Sequence, residues 1–314
     1  MFYVTKLISY ENFLNYIKEE VKIRLGEEYD TNLNQVRKNN GLLLDGLMIR
    51  CTKDKILPSI YLNPYYENYK KGESLDDIVN EVIKAYDEAK EETTRIAIPT
   101  RMEFEEMKSR IIYRLVNYEK NQVLLESVPH YRMLEFAVTF HCLIRRDEEG
   151  IGSVRITEEH SKSWGVSVEE LCNVAMENTK NIFPAIIRPM EDIVYDAIKQ
   201  ETWTPQKEVV TLPASFNSSM YVLTNSCGIN GASCLLYQGL LELFYNQLGT
   251  DFFLLPSSIH ELILVPVGEE RDKEHLEEMV KEINQTQVAL EEILSDTVYN
   301  YEFIRDRLLE FGEF

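Results

Sequence analysis

Apolar residues recur every four positions near the start of the chain, where Phe13, Ile17, Val21 and Leu25 form one stripe. That spacing predicts a helix with one buried face, opened by Ser9 as its N-cap. Asn32 to Asn40 is polar and reads as a connecting stretch. Aliphatic residues then dominate Leu42 to Cys51, and a second strand begins over Pro58 to Leu62, with Lys53-Asp54-Lys55 as the turn between them. Ser74, with Asp77 three residues on, caps the next helix, whose apolar face is Leu75, Ile78, Val82, Ile83 and Tyr86.

A similar order returns further along. The stretch "LEFAVTFHCLI" (134–144) alternates with a period of two and predicts a strand. "RRDEEGIG" supplies a turn, the next strand begins at Val154-Arg155-Ile156, and Ser167 with Glu170 forms a capping box for a helix through Leu171, Val174 and Ala175. "KKGESLDDI" and "SWGVSVEEL" match in their glycine, cap and acid positions, which points to a repeated ββα unit. In the last third, "MYVLTNS" reads as a strand and "ASCLLYQGLLELFYNQLG" as a helix closed by Gly249. "DFFLL" and "HELILVPV" read as a hairpin, and Lys273 to Ile283 as another helix. "VNYEKNQVLL" (116–125) and "YNYEFIRDRLL" (299–309) also resemble each other loosely.

Hairpins alternating with helices predict an α+β fold of repeated ββα units, with antiparallel sheets covered by amphipathic helices. Pro99 and the run from Thr202 to Ala214, which holds Pro205 and Pro213, mark soft boundaries. They divide the chain into 1–100 (N-terminal helix and first ββα unit), 101–205 (middle unit) and 206–314 (a βαββα unit), whether as separate domains or one body.

Charge changes the functional picture most. The 314 residues carry 33 basic and 53 acidic side chains, a net charge of −20. Nucleic-acid affinity comes from lysine and arginine displacing counterions, so direct binding of DNA or RNA is disfavoured. Two readings of the charge remain, a well-solvated surface on a cytoplasmic protein or an acidic protein that occupies the basic groove of a nucleic-acid enzyme, and overall charge does not separate them. No apolar run approaches the roughly 20 residues that span a bilayer, and the N-terminus lacks a secretory pattern, so the expected location is cytoplasmic. The five cysteines are scattered, with no CxxC pair and no zinc-ligand spacing, so reduced thiols, no metal and no cofactor are expected.

Candidate chemistry is sparse. In "LPSSIHELILVP" (255–266), residues two apart in a strand share a face, which places Ser258 beside His260 and turns Glu261 away. A Ser–His–acid triad needs its acid on the far ring nitrogen, there is no G-x-S-x-G elbow, and HExxH is not met. Cys227, in the glycine turn "CGINGAS", becomes a nucleophile only if a base such as His260 approaches it. That turn lacks the lysine of a P-loop. Tyr61, Tyr65, Tyr66 and Tyr69 cluster in "YLNPYYENY", where they pack at a strand–helix junction or, if exposed, form a protein-binding patch. His141 alternates onto the less apolar face of its strand, with Glu135 and Thr139. "EERDKEHLEE" and "DEAKEE" read as solvated helix faces.

The blocks "GLMIR", "PSIYLNPYYENYKKGESLDDIV", "RLVNYEKN", "VPHYRMLEFAVTF" and "LPSSIHELILVP" occur in one order from about Gly41 to Tyr301. In them the chain resembles an uncharacterised domain-of-unknown-function family of gut Firmicutes and their mobile elements. The resemblance implies a cytoplasmic bacterial or phage-borne protein and transfers no catalytic residue. The favoured function is a non-enzymatic acidic factor that binds a basic protein, such as a nucleic-acid-processing or defence enzyme. Its rivals are a hydrolase or thiol enzyme using Ser258 or Cys227 with His260, and a small-molecule sensor with a pocket between the units.

Overall fold

The computed structural model describes residues 7–51, 58–95, 103–147, 150–199, 210–268 and 272–311. The expected turn at Lys53-Asp54-Lys55, Pro99 and Pro205 lie outside them. The chain clusters into two compact units, one of residues 1–38 and 42–99, the other of residues 39–41 and 100–314.

The first unit is α+β. Helix α1 (Tyr10–Leu25) is capped by Ser9, whose Oγ accepts the Asn12 N–H at 3.3 Å. Strands β1 (Tyr29–Arg37), β2 (Leu43–Cys51) and β3 (Ser59–Tyr61) form an antiparallel sheet in that order. Helices α2 (Asn63–Lys70) and α3 (Leu75–Arg95) follow. The stripe Phe13, Ile17 and Val21 packs with Leu47, Ile49, Ile78, Val82 and Tyr86 into one core. The polar stretch read as a connection is largely β1. It is an edge strand whose register with β2 runs unbroken from Tyr29–Cys51 to Arg37–Leu43, so ladder bonds rather than apolar alternation define it.

The second unit opens with the short helix α4 (Phe104–Met107), β4 (Ile111–Asn117), the one-turn α5 (Gln122–Leu125) and β5 (His130–Met133). Then come β6 (Phe136–Asp147), β7 (Gly150–Arg155), α6 (Glu158–Trp164) and α7 (Val168–Ile182). β6 pairs antiparallel with β4 along one edge and with β5 and then β7 along the other. The alternation in its sequence does not mark a wet face, because every residue from Phe136 to Cys142 is buried. The strand after the turn begins at Gly150 and ends at Arg155, earlier than the expected start at Val154. Ser167 and Glu170 do form the capping box of α7, and Thr157 with His160 forms a second one on α6.

The remaining elements are β8 (Ala185–Pro189), α8 (Met190–Lys199), β9 (Val210–Thr211), β10 (Tyr221–Asn225) and α9 (Leu240–Leu248). The hairpin β11 (Phe252–Leu255) and β12 (Leu262–Pro266) precedes α10 (Lys273–Thr286), β13 (Tyr299–Asn300) and α11 (Tyr301–Phe311). The second sheet has the order β13-β11-β12-β10-β8-β9, antiparallel except where β9 joins β8. One core runs from Met107 through Phe140, Tyr221 and Phe252 to Ile304. The soft boundary near 206 falls within this unit, since β8 pairs with β10 across it. The single helix expected over 232–249 is interrupted. Gly231–Leu236 forms 3-10 turns, and Gly239 at φ 76° redirects the chain into α9.

The matched sequence blocks share an element order. α2 is followed by Gly72 (φ 106°) and the cap Ser74, and α6 by Gly165 (φ 69°) and the cap Ser167. The repeated unit is therefore two strands, a short helix and a long capped helix.

Candidate functional site

His260 and Ser258 lie between β11 and β12, in irregular chain that precedes the strand. Period-two alternation does not apply there, and the Glu261 carboxyl stays within electrostatic reach of Ser258 and His260. Burial pushes that carboxyl above its ordinary range, opposed by the Ser258 hydroxyl and by the nearby His260. Ser258 is 4% exposed, and its Oγ accepts the His260 backbone N–H at 3.0 Å.

Both nitrogens of the His260 ring have neighbours. Nδ1 accepts the Asn230 N–H at 3.2 Å, which leaves Nε2 as the protonated nitrogen, 3.4 Å from Glu292 Oε1. The ring is thus oriented by an amide and a carboxylate, and neither nitrogen faces Ser258. The His260 carbonyl in turn accepts the Thr224 hydroxyl at 2.8 Å. A Cβ on Gly231 would fall 2.1 Å from that hydroxyl oxygen and 2.4 Å from the His260 carbonyl, so only glycine fits where this loop meets "CGINGAS".

Cys227 is partly buried, and its backbone N–H donates to Asn225 Oδ1 at 2.9 Å. Its thiol lies 4.0 Å from Ser226 Oγ. Burial pushes the Cys142 and Cys172 thiols up to about 12 and Cys234 higher still, so none of these three is an activated nucleophile.

The four tyrosines are half-buried rather than an open patch. Tyr65, Tyr66 and Tyr69 sit on α2, where the sequence placed only a junction, and all three pack on the first unit's core. Tyr66 stands with ring centroids 4.8 Å from Tyr10 and 5.1 Å from Phe13. The Tyr66 hydroxyl donates to the Ile8 carbonyl at 3.2 Å, and the Tyr69 hydroxyl accepts the Ile8 N–H at 3.2 Å. Tyr61 lies under Lys38, 4.4 Å from its centroid.

His141 is 5% exposed, its Nε2 3.4 Å from Thr139 Oγ1. Glu135 does not join it. The Glu135 carboxylate accepts hydroxyls from Ser295, Thr297 and Tyr299. Partners 160 and more residues away carry no local sequence signal.

Two surface features went unread in the sequence. A pocket of about 420 Å³ lies between Leu235–Gly239, α9 and α11, lined by Met176, Leu236, Tyr237, Leu241, Tyr301 and Leu308, with Glu242 and Arg305 as charged groups. Helix α8 buries none of its side chains fully. Val194, Tyr195 and Ile198 are 49%, 57% and 75% exposed, and their spacing puts them on one face. The spacing was visible in the sequence; the missing cover was not.

A family model described as a family of unknown function matches residues 10–302. The chain belongs to DUF5688. Nearly the whole DUF5688 sequence, from α1 to the start of α11, is thereby one matched region. No curated protein and no solved structure matches it. Among the described residues of this DUF5688 protein, no helix is long and apolar enough to cross a membrane.

Proposed function

We propose that this DUF5688 protein is a non-enzymatic acidic factor that binds a basic protein through α8. The observation that carries the reading is the exposed apolar face of Val194, Tyr195 and Ile198, with the exposed carboxylates of Glu191 and Asp192 on the same helix. Exposed apolar groups rimmed by charge are the usual anatomy of a protein interface. With a net charge of −20, the complementary surface is basic. Nucleic acid is disfavoured as a direct ligand for the same reason. The resemblance to a family of gut Firmicutes and their mobile elements gives the reading its concrete form. In that form the protein acts in the cytoplasm, is phage- or element-borne, and engages a basic nucleic-acid-processing or defence enzyme.

The test compares the wild-type chain with Ile198→Glu as bait in native host lysate. The expected result is a basic protein held by the wild type, lost with the variant, and released as ionic strength rises from about 0.05 to 0.5 M. A partner retained equally by the variant, or one indifferent to salt, counts against the reading.

The pocket beside α9 and α11 favours a second reading, a small-molecule sensor, because about 420 Å³ of largely apolar lining with two charged groups is ligand-sized. Leu241→Trp, which fills it, is expected to abolish binding of an apolar fluorescent dye. Unchanged dye binding removes that reading.

A further inference from the structure

Among the described residues, two arginines of this acidic protein have no acid beside them. In the antiparallel register of the four-stranded sheet, His141 on β6 stands opposite Arg155 on β7, and Thr139 opposite Arg114 on β4. Directly opposed residues share a face, and positions two apart do so as well. Arg114, His141 and Arg155 therefore gather on one side of the sheet, away from the Tyr113, Phe140 and Cys142 side that builds the core.

The cluster is cationic and incompletely bonded. Arg114 Nη2 donates to Ser153 Oγ at 2.8 Å. The Nε atoms of both Arg114 and Arg155 are buried without a hydrogen-bond partner. Among the described residues neither guanidinium forms an ion pair, although the chain has 53 acidic side chains to draw on. Burial, followed by repulsion from Arg155, pushes Arg114 down to about 10, and burial lowers Arg155. Both stay charged at neutral pH. An arginine cannot shed its proton to escape such a site, and a buried charge without a counterion is costly. His141, held neutral by burial and by these two arginines, supplies no compensation.

We propose that Arg114 and Arg155 form a binding site for a small oxyanion, of phosphate or carboxylate type, on the face of this sheet opposite the Tyr113, Phe140 and Cys142 side. Paired guanidinium groups match the geometry of such an anion. The cavity beside Arg114, lined by Ile112, Ile151, Ile229 and Asn230, measures about 10 Å³ and holds no more than one water. The anion is therefore received where these two arginines, both only partly buried, reach solvent. Ser153 places its hydroxyl at the same site.

Calorimetric titration of the full chain tests this, with inorganic phosphate in one arm and acetate in a second, ionic strength being matched with sodium chloride. Saturable one-to-one binding of phosphate alone assigns a phosphate-bearing ligand; binding of acetate as well assigns the broader carboxylate class. Arg155→Gln is expected to weaken binding by about tenfold or more, the loss of one charge-assisted contact. Because Arg155 is uncompensated, the same variant without anion is expected to unfold at an equal or higher temperature than the wild type. The proposal is overturned if neither anion binds saturably, if Arg155→Gln binds phosphate as well as the wild type, or if that variant is less stable in the absence of anion. Arg114 bonds Ser153, so a misfolded Arg114→Gln leaves the Arg155 variant as the deciding one.

Discussion

Asn121 and Asn40 bond each other in both directions: Asn121 Oδ1 accepts the Asn40 N–H at 2.9 Å, and its Nδ2 donates to Asn40 Oδ1 at 3.0 Å. Asn40 adopts the left-handed conformation at φ 56°, and its own Nδ2 reaches the carbonyls of Leu290 and Ile293 at 2.8 and 2.6 Å. Asn121 is 2% exposed. Removing its amide leaves a polar group without a partner, which costs more than the bond itself contributes. Asn121→Ala is expected to destabilise the fold by about 2–3 kcal/mol, read as a lower urea midpoint with an unchanged slope.

Ser258 is expected to act as a turn acceptor. Ser258→Ala leaves the His260 N–H without its acceptor and should cost about 1–2 kcal/mol in thermal unfolding. A fluorophosphonate probe for activated serines should leave Ser258 unlabelled in the wild type. Stoichiometric labelling there would revive the hydrolase reading.

Gly231→Ala is expected to destabilise by about 3 kcal/mol, since its Cβ meets the Thr224 hydroxyl, the His260 carbonyl and the Asn225 backbone at 2.1, 2.4 and 2.8 Å. Thr224→Ala should recover part of that loss in the double variant, because it removes the closest atom. Unfolding midpoints of the single and double variants decide it.

His141 gives the protein an acid-side weakness. Its folded-state value lies well below the ordinary 6.5, through burial first and then the Arg114 and Arg155 charges. The unfolded chain therefore takes up a proton below pH 6.5 that the folded chain refuses, and stability falls as pH drops. The slope is at most about 1.36 kcal/mol per pH unit. His141→Gln should show a shallower fall in melting temperature between about pH 7 and 5.

Thiol reactivity should be confined to Cys227. Cys51, Cys142, Cys172 and Cys234 are buried, and only Cys227 is partly exposed. Iodoacetamide at about pH 8 is expected to add one group to the folded chain, at Cys227, and to reach the others only in denaturant, as read by peptide mass spectrometry.

Periodic positions translated well into structure. The stripe at Phe13, Ile17 and Val21, the cap at Ser74 and the capping box of Ser167 and Glu170 all stand where local pattern puts them. Local reading failed where long-range pairing sets conformation. β1 is polar yet becomes a strand because β2 supplies its hydrogen bonds. Helix formers around Gly239 are split because a left-handed residue turns the chain. In the candidate site, strand alternation put the Ser258 and His260 side chains on one face, whereas Ser258 Oγ bonds the His260 backbone N–H and the ring nitrogens meet Asn230 and Glu292, 30 and 32 residues away and without local signal.

By itself the sequence determined the α+β class, the helix faces and caps, the acidic balance and the absence of local catalytic motifs, because each depends on residue type and short spacing. Tertiary structure alone decided which nitrogen of His260 carries its proton, that Tyr65, Tyr66 and Tyr69 pack inward, and that Val194, Tyr195 and Ile198 of α8 are exposed. It also brought Arg114 and Arg155 together with no carboxylate among the described residues paired to them. These depend on what distant strands and loops bring to a side chain, and no local pattern encodes that.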